Sequence, residues 1–496
     1  MLAMTTTTQY ARLSAHFATI SHFEHFNTLG DWDMATMMPP AGSQQRAEAM
    51  ASLSGHIHQL RTAPWLNEAI NAATDEPLTD NQRANLTEMT RTVQQATLIP
   101  AELVETKTRA ALACEHAWRT QRQNNDWAGF RPNLEKVIAL VRQEAEIRSQ
   151  ALGIAPYDTL LDKFEPGMTS AKLDALFSPL RQQLPGLIQQ VQQKQVNEQP
   201  VHLNGHYPAQ AQQQLSRQVM TLLGFDFNQG RLDSSSHPFS CGAAGDTRIT
   251  TRYDESDFSA ALMSTIHETG HARYEQGLPL TWQGQPAGMA RSMAVHESQS
   301  LFFEMQLGRS HGFLQQLHPL INQHLGTHFT LEQLQHGFSR VTPGLIRVDA
   351  DEVTYPCHIL LRYQAEQALV TGNLTVAELP EFWHANMSQM LGVSTLGNDK
   401  DGCMQDIHWT VGELGYFPSY TLGAMIAAQL RDALEQQLGN MDTLLAQGQI
   451  NDIFAFLQRR IWQHASLMST EALILSATGK ALSADSLLAH LARRYA

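Results

Sequence analysis

Residues 256–277 read SDFSAALMSTIHETGHARYEQG, a stretch that combines a helical pattern with a short polar motif. Ser256 and Asp257 are suited to cap the start of a helix, and the Gly-Leu-Pro sequence that begins at Gly277 is typical of a helix end. The stretch between them therefore predicts a helix at Phe258–Gly277. Its motif, HETGH at residues 267–271, has the form HExxH.

His267 and His271, the two histidines of this motif, are four residues apart. Four residues make a little more than one helical turn, so both imidazoles project from one face about 6 Å apart. That arrangement suits two ligands of one tetrahedral zinc ion. Glu268 projects about 100° around the helix, where it reaches a water on the metal without binding the metal itself. The alternative is a helix with two surface histidines that match the motif by chance.

A third protein ligand is expected, because two histidines alone leave a zinc site incomplete. Glu297 supplies it, inside a second helical pattern that runs from about 293 to 307. On its own, this residue fits an exposed helix acid equally well. A zinc ion held in this way lowers the pKa of its water and polarises a carbonyl. Glu268 would remove the proton and return it to the leaving amine, so the predicted reaction is hydrolysis of an amide or peptide bond.

Hydrolysis of this kind also needs a hydrogen-bond donor for the developing oxyanion. The C-terminal third of the chain offers three candidates, His408, Tyr416 and Tyr420. Each of them fits an ordinary core or surface position as well, and their place in the sequence does not choose between them.

Two arginines are candidates for binding a substrate carboxylate. Arg347 lies among acidic and apolar residues, and its planar guanidinium is suited to clamp a carboxylate. The alternative is a structural ion pair with Asp349 or Asp351. Arg248, in a β-branched stretch, has the same two interpretations.

The chain of 496 residues carries a net charge of −14 and contains 43% hydrophobic residues. Its length gives a prior of about three domains, but no linker or internal repeat interrupts the helical spacing of apolar residues. We therefore predict a single mainly α domain at 1–496, with a helical cap at 1–150 and a catalytic region at 151–496. The acidic balance and the lack of a basic cluster argue against nucleic acid as a partner.

Strand signals are few. Residues 200–207 predict a small hairpin around an Asn-Gly turn, and Thr247–Tyr253 predicts a strand because it alternates and is rich in β-branched residues. Between them, 228–245 is rich in Gly and Ser and is expected to form a long loop.

The compartment expected from the sequence is the cytoplasm. No apolar run approaches the roughly 18 residues of a membrane-spanning helix, and Met1–Thr5 lacks the start of a secretory signal. The four cysteines are too far apart for a CxxC site or a dense disulfide framework.

Taken together, these segments resemble the carboxypeptidase Taq family of zinc carboxypeptidases. The family's five motifs occur in order at Asp246–Thr250, His267–His271, His296–Gln299, Ile346–Asp351 and Gly402–Trp409. Further similarity lies at Trp32–Pro39, Tyr157–Asp162, His237–Phe239 and Gly415–Tyr420. Met404 stands where we would expect Leu, which affects none of the candidate catalytic residues.

The resemblance implies a mainly helical, two-lobed fold with a deep active-site groove and a small β element, similar to neurolysin and angiotensin-converting enzyme. It implies release of single residues from peptide C-termini with broad specificity, and a homodimer. The implied metal ligands are His267, His271 and Glu297, for Zn²⁺ with Co²⁺ or Mn²⁺ as substitutes. Glu268 is the implied base. For the terminal carboxylate, Arg347 is the first choice and Arg248 the second. His408 and Tyr420 would contact the scissile carbonyl or the oxyanion, with Tyr416 in reserve.

Three other activities remain as alternatives. The same metal site would serve an endo-oligopeptidase or a dipeptide-releasing enzyme, whereas an aminopeptidase would need acids placed for a free amine, and no such motif lies near HExxH. A metal-binding scaffold without activity is the alternative from another class, although such a protein could dispense with Glu268, which is present.

Overall fold

The computed structural model describes residues 8–496, which are mainly helical. Their helices are α1 Gln9–Thr36, α2 Ser43–Arg61, α3 Leu66–Thr74, α4 Asp80–Thr97, α5 Ala101–Gln123, α6 Trp127–Leu152, α7 Pro156–Leu161, α8 Ser170–Gln195, α9 Ala209–Leu222, α10 Phe258–Gly277, α11 Met293–Leu301, α12 His311–Leu325, α13 Leu331–Phe338, α14 Tyr355–Thr371, α15 Leu379–Leu391, α16 Pro418–Leu438, α17 Met441–Ala446, α18 Ile450–Arg460, α19 Thr470–Thr478 and α20 Asp485–Tyr495. Short 3₁₀ turns connect several of them, and Phe302–Gly308 continues α11 as a π-helix. The predicted mainly α class is confirmed.

Three short strands form the β element. They are β1 Gly230–Ser234, β2 Phe239–Ala243 and β3 Asp246–Thr251, in the order β1-β3-β2. The central strand β3 is parallel to β1 and antiparallel to β2, with Arg231 opposite Arg248 on one side and Cys241 opposite Arg248 on the other.

The chain divides into two compact units, each built from three segments. Unit 1 takes in the described residues up to Thr97, together with 201–338 and 430–481. Unit 2 consists of 98–200, 339–429 and 482–496. The predicted cap at 1–150 and catalytic region at 151–496 stay predictions.

The buried apolar residues of unit 1 include two groups that pack helices together. One joins α1 to α4 through side chains such as Leu13, Leu66 and Met89. The other packs the sheet against α9 and α10, and it includes Ile249 of β3 and Ala272 of α10. This second group fixes the position of α10, the helix that carries the HExxH motif.

Several predicted elements can be compared with the observed ones. The helix predicted at Phe258–Gly277 has these bounds, and the strand predicted at Thr247–Tyr253 corresponds to β3. The hairpin at 200–207 is wrong, since that segment contains only an isolated bridge from Asn204 to Asp257. The long loop at 228–245 is also wrong, because it contains β1 and β2.

Other expectations concern the whole chain. Within residues 8–496, no helix has both the length and the hydrophobicity needed to cross a membrane. All four cysteines are free, as expected. The expectation for Met1–Thr5 concerns residues outside the described part of the chain.

Candidate metal centre and arginine cluster

Helix α10 presents the HExxH residues. The Asp257 carboxylate caps its N-terminus by accepting a hydrogen bond from the Ser259 backbone N–H at 2.8 Å. His267 and His271 project from one face with ring centroids 5.0 Å apart. Glu268, which follows His267, is buried with 8% of its surface exposed.

Glu297 reaches the two histidines from α11. Its Oε2 atom lies 3.4 Å from Nε2 of His271 and 3.9 Å from Nε2 of His267. The two helices approach closely at Gly270, where an added Cβ would lie 2.5 Å from the Gln299 carbonyl oxygen. A glycine between the two histidines therefore permits the contact that brings the carboxylate to them.

His267, His271 and Glu297 form what we call the metal-ligand cluster. One donor atom from each lies within 4.8 Å of the other two. A tetrahedral ion with bonds of about 2.0–2.2 Å holds its ligand atoms about 3.3–3.6 Å apart, so the observed separations need only small adjustments. Two imidazole nitrogens and one carboxylate oxygen are also a donor set that zinc accepts. The cluster therefore fits a divalent metal ion.

Two neighbouring side chains hold the histidines in place. Glu304 lies in the π-helix, and its Oε2 is 3.0 Å from Nδ1 of His267, which leaves Nε2 of that ring for the metal. Arg309 in turn donates to the other oxygen of Glu304 at 2.7 Å. His296 stacks on His271 with ring centroids 4.5 Å apart.

Unit 2 contains a second group of polar residues, the arginine cluster of Arg347, Arg362 and Asp406. Arg347 donates from Nε to Oδ1 of Asp406 at 2.9 Å, and Arg362 donates from Nε to Oδ2 at 2.7 Å. Arg347 also donates to the Tyr355 hydroxyl at 2.9 Å. Arg347 therefore does form a structural ion pair, the alternative considered for it, but with Asp406 rather than with Asp349 or Asp351.

One carboxylate thus serves two buried guanidinium groups. Burial, reinforced by the nearby Arg362, lowers the pKa of His358 to about 3, so this imidazole adds no charge at neutral pH. The arginine cluster has one positive charge more than it has carboxylates to balance it. Buried charges are stable only when they are paired, which makes the cluster suited to an anionic ligand.

The three candidate oxyanion donors lie near one another in the same unit. The His408 ring stacks on Tyr416 with centroids 5.6 Å apart, and Tyr416 meets Tyr420 edge to face at 5.3 Å. Tyr420 also lies beneath Arg347, whose guanidinium carbon is 5.4 Å from the ring centre. Unit 2 therefore brings His408, Tyr416, Tyr420 and Arg347 together.

A buried carboxylate fixes the chain segment that carries two of these rings. Glu366 of α14 accepts hydrogen bonds from the Trp409 indole at 2.8 Å and from the Gly415 backbone N–H at 2.9 Å. Tyr157 of α7 donates to the same side chain at 2.9 Å. Hydrogen bonds to the buried Glu366 therefore fix the residues that adjoin His408 and Tyr416 in the chain.

Comparisons with known proteins agree on one family. The family profile described as Carboxypeptidase Taq (M32) metallopeptidase matches residues 12–495. The chain belongs to this family. Members are metallocarboxypeptidases, so the chain is a peptide hydrolase of that type. The family to which the sequence motifs pointed is confirmed.

Relatives of the carboxypeptidase Taq family match this chain over nearly its whole length. Thermostable carboxypeptidase 1 of Thermus thermophilus is 37% identical, with 99% of each chain covered. Among solved structures, metallocarboxypeptidase 1 of Trypanosoma cruzi is 44% identical with a TM-score of 0.96, covering 98% of this chain and 99% of its own. The M32 carboxypeptidase of Deinococcus radiodurans is 31% identical with a TM-score of 0.93, covering 98% of both chains.

In this carboxypeptidase Taq family member, the pKa of Glu297 in the metal-ligand cluster and the pKa of the adjacent Glu268 are shifted in opposite directions. Burial raises the pKa of Glu268 to about 7, a rise that His267 opposes and Glu297 reinforces. Burial alone would also raise the pKa of Glu297, but His267 and His271 bring it down to about 2. Glu297 therefore stays ionised, as a metal ligand must be.

Next to the arginine cluster, burial lowers the pKa of His408 to about 4, and Arg347 and Arg362 reinforce this against the opposing charge of Asp406. The His408 imidazole is neutral at pH 7 and carries one N–H to donate.

Arg248 lies in unit 1 on β3 and has a carboxylate partner. It donates from Nε and Nη2 to the two oxygens of Asp246 at 2.9 and 3.0 Å. Its guanidinium also lies 4.3 Å above the centre of the Trp32 ring. Arg248 therefore forms a structural ion pair, which was one of its two interpretations. Its binding of a substrate carboxylate stays a prediction.

Sequence reasoning missed four residues of these sites. Asp406 belongs to the motif at 402–409 but was not assigned a role, and Arg362 has no motif of its own. Glu304 follows Glu297 by seven residues, a spacing that keeps two acids on one side of a helix and could have drawn attention to it. His296 stands beside Glu297 in the quoted motif.

Proposed function

We propose that this chain is a zinc-dependent metallocarboxypeptidase that releases single amino acids from the C-termini of peptides with broad specificity. The observation that carries the proposal is the metal-ligand cluster, in which two histidines and one glutamate converge within 4.8 Å beside a buried Glu268. The family profile supplies the carboxypeptidase class, and the donor set favours zinc.

His267, His271 and Glu297 would hold the metal, with Zn²⁺ as the proposed ion and Co²⁺ or Mn²⁺ as substitutes. A bound ion of this kind supplies Lewis-acid polarisation of the scissile carbonyl and lowers the pKa of water. Glu304 keeps His267 in the tautomer whose Nε2 is available for the metal, because its carboxylate only accepts hydrogen bonds.

Glu268 is the proposed general base. It is buried and adjacent to a metal ligand, and it is not one of the three converging donors. Its carboxylate would take a proton from the attacking water and return it to the nitrogen of the leaving residue.

Arg347 is the proposed contact for the terminal carboxylate of the peptide. The excess positive charge of the arginine cluster favours an anion, and a guanidinium can bind a carboxylate through two N–H groups. Arg248 is less suited, because Asp246 already occupies its Nε and Nη2 donors. We propose that His408 and Tyr420, with Tyr416 in reserve, donate hydrogen bonds to the carbonyl oxygen as it gains charge.

Product analysis tests the reaction class. A purified sample is given one peptide as the free acid and as the C-terminal amide, with and without chelator, and the products are identified by mass spectrometry. We expect single residues to be released from the free acid only, and release to stop with chelator. Equal cleavage of the amide would instead indicate an endo-oligopeptidase, and loss of two residues at a time a dipeptide-releasing enzyme.

A substitution tests the role of Glu268. We expect Glu268→Gln to retain one metal ion per chain while the hydrolysis rate falls by about 10²–10⁴-fold, because the amide cannot accept the proton. Metal analysis and steady-state rates are measured on the same samples, with the exposed Glu332→Gln as the matched control. Retained turnover in Glu268→Gln would remove this residue as the base.

We further propose a homodimer located in the cytoplasm, as the family resemblance and the sequence composition lead us to expect. Light scattering of the purified protein tests the first point. A mass near twice that of the 496-residue chain supports the dimer, and a mass equal to it contradicts the dimer.

A further inference from the structure

Unit 1 contains a cavity of about 1160 Å³. It is bounded by α1, α2, the turn between β2 and β3, and the segment that follows α10. Pockets for drug-sized ligands measure about 300–1,000 Å³, so this cavity has room for several amino-acid residues.

The cavity begins next to the metal-ligand cluster. Glu275, which lines it, follows His271 by four residues on α10, so the two side chains share one face of the helix. The Glu275 carboxylate accepts a hydrogen bond from Nε2 of His296 at 2.9 Å, and the His296 ring stacks on His271. About 6 Å along the helix therefore separates the cavity from the nearest metal-ligand residue.

Three large apolar side chains line this cavity and remain exposed. Phe26 of α1 is 63% exposed, Leu280 is 70% exposed and Met289 is 58% exposed. Exposed apolar groups that gather at one concave surface are typical of a binding site. Glu24 and Arg61 in the cavity form an ion pair with each other. Two further acids line it, and each has a partner outside the lining: Asp246 pairs with Arg248, and Glu275 contacts His296.

We propose that this cavity binds the part of the peptide N-terminal to the scissile bond, and that Phe26, Leu280 and Met289 select large apolar side chains there. The inference rests on the proposed carboxypeptidase function. Such an enzyme keeps one residue on the C-terminal side of the cut, so a cavity with room for several residues has to hold the other side.

The distance from the cluster indicates which substrate residue enters first. An extended peptide advances about 3.3 Å per residue, so about 6 Å corresponds to two residues. The penultimate residue lies at the cut, and two positions before it stands the fourth residue from the C-terminus. The cavity therefore receives the substrate from that fourth residue onward. Specificity in this cavity is compatible with broad specificity for the residue that is released.

The test uses two blocked tetrapeptides that differ only in the fourth residue from the C-terminus, phenylalanine in one and serine in the other. A blocked dipeptide, which ends before the cavity, reports the basal activity of each variant. For the unsubstituted enzyme, we expect kcat/KM to be about tenfold higher for the phenylalanine peptide, mainly through a lower KM. In the double variant Phe26→Ser, Leu280→Ser this ratio should fall to about one.

Leu475→Ser is the matched control, since Leu475 is 53% exposed in unit 1 and does not line the cavity. It should keep the tenfold ratio. The substituted side chains are exposed, so the effect on folding should be small, and the dipeptide activity checks this. A ratio near one in the unsubstituted enzyme, or a ratio that the double variant leaves unchanged, would overturn the inference while leaving the proposed function intact. Failure to shorten any free-acid peptide would overturn both.

Discussion

His267 and His271 have the same place in the motif but are held differently. Nδ1 of His267 lies 3.0 Å from Glu304, whereas Nδ1 of His271 has no hydrogen-bond partner among residues 8–496. The His271 ring is instead fixed by stacking on His296. Orientation of the two ligands therefore depends on one hydrogen bond and one ring contact, and the hydrogen bond also selects the tautomer.

Removal of the Glu304 charge should weaken metal binding. In Glu304→Gln we expect metal affinity to fall by about 10–100-fold, because the amide no longer fixes the tautomer of His267 and leaves Arg309 without its carboxylate. Competition with a chromogenic chelator measures the change. Glu332→Gln, an exposed acid in the same unit, should bind metal normally. Equal affinity in both variants would show that Glu304 does not orient the ligand.

Single residues were predictable where their chemistry is local or required. The spacing of His267 and His271 indicates a shared helical face, and an incomplete ligand set leads to Glu297. The partner of Arg347 was not predictable, since Asp406 lies 59 residues away and nearer acids were available. Glu304 lies within the helical pattern predicted at about 293–307, but the sequence pattern indicates neither the π-helix that carries it nor its contact with His267.

Among helices and strands, too, those that depend on local sequence were predictable, and those that depend on tertiary pairing were not. The ends of α10 were predicted because a capping acid and a Gly-Leu-Pro sequence act within one turn. Strands β1 and β2 were missed because each has five residues, and Gly and Ser in them have low strand propensity. Both strands are instead stabilised by hydrogen bonds to β3, which lies between them. The Asn-Gly turn predicted near residue 204 does not join two strands, because Asn204 forms only an isolated bridge to Asp257.

Helix α10 and helix α11 depend on one glycine for their close contact. In Gly270→Ala the new methyl group would meet the backbone at Gln299 and Ser300. We expect the free energy of unfolding to fall by about 1–3 kcal/mol, as overpacking does, and metal affinity to fall because Glu297 moves away from the histidines. Urea unfolding and chelator competition measure the two effects.

Gly55→Ala is the control for this change. Gly55 also lies inside a helix, α2, but an added Cβ there meets nothing within 4 Å. Alanine at that position should stabilise the protein by up to about 1 kcal/mol through helix propensity. If both substitutions acted alike, close packing at Gly270 would not be what brings Glu297 to the metal-ligand cluster.

At the scale of the whole molecule, a net charge of −14 says little about which acids matter for stability. Acids in solvent have the same pKa in the folded and unfolded chain, so they add no pH dependence. Buried acids among cations differ. Glu144 of α6 contacts Lys107, Lys163 and Arg148 inside unit 2, and it is therefore a strong candidate for control of stability in acid.

Burial alone would raise the pKa of Glu144, but Lys163, Lys107 and Arg148 lower it from 4.5 to about 2. A folded-state pKa below the unfolded value stabilises the fold above about pH 4.5, and this contribution is lost as the pH falls toward 2. The shift corresponds to about 3 kcal/mol of stability.

Glu144→Gln, which resembles the protonated acid, should therefore be less stable than the unsubstituted protein by about that amount at pH 7. The stability of the two proteins should become similar near pH 2. Urea unfolding across this range, with the exposed Glu146→Gln of the same helix as control, measures it. A difference that stayed constant between pH 7 and pH 3 would mean that the Glu144 charge does not stabilise unit 2.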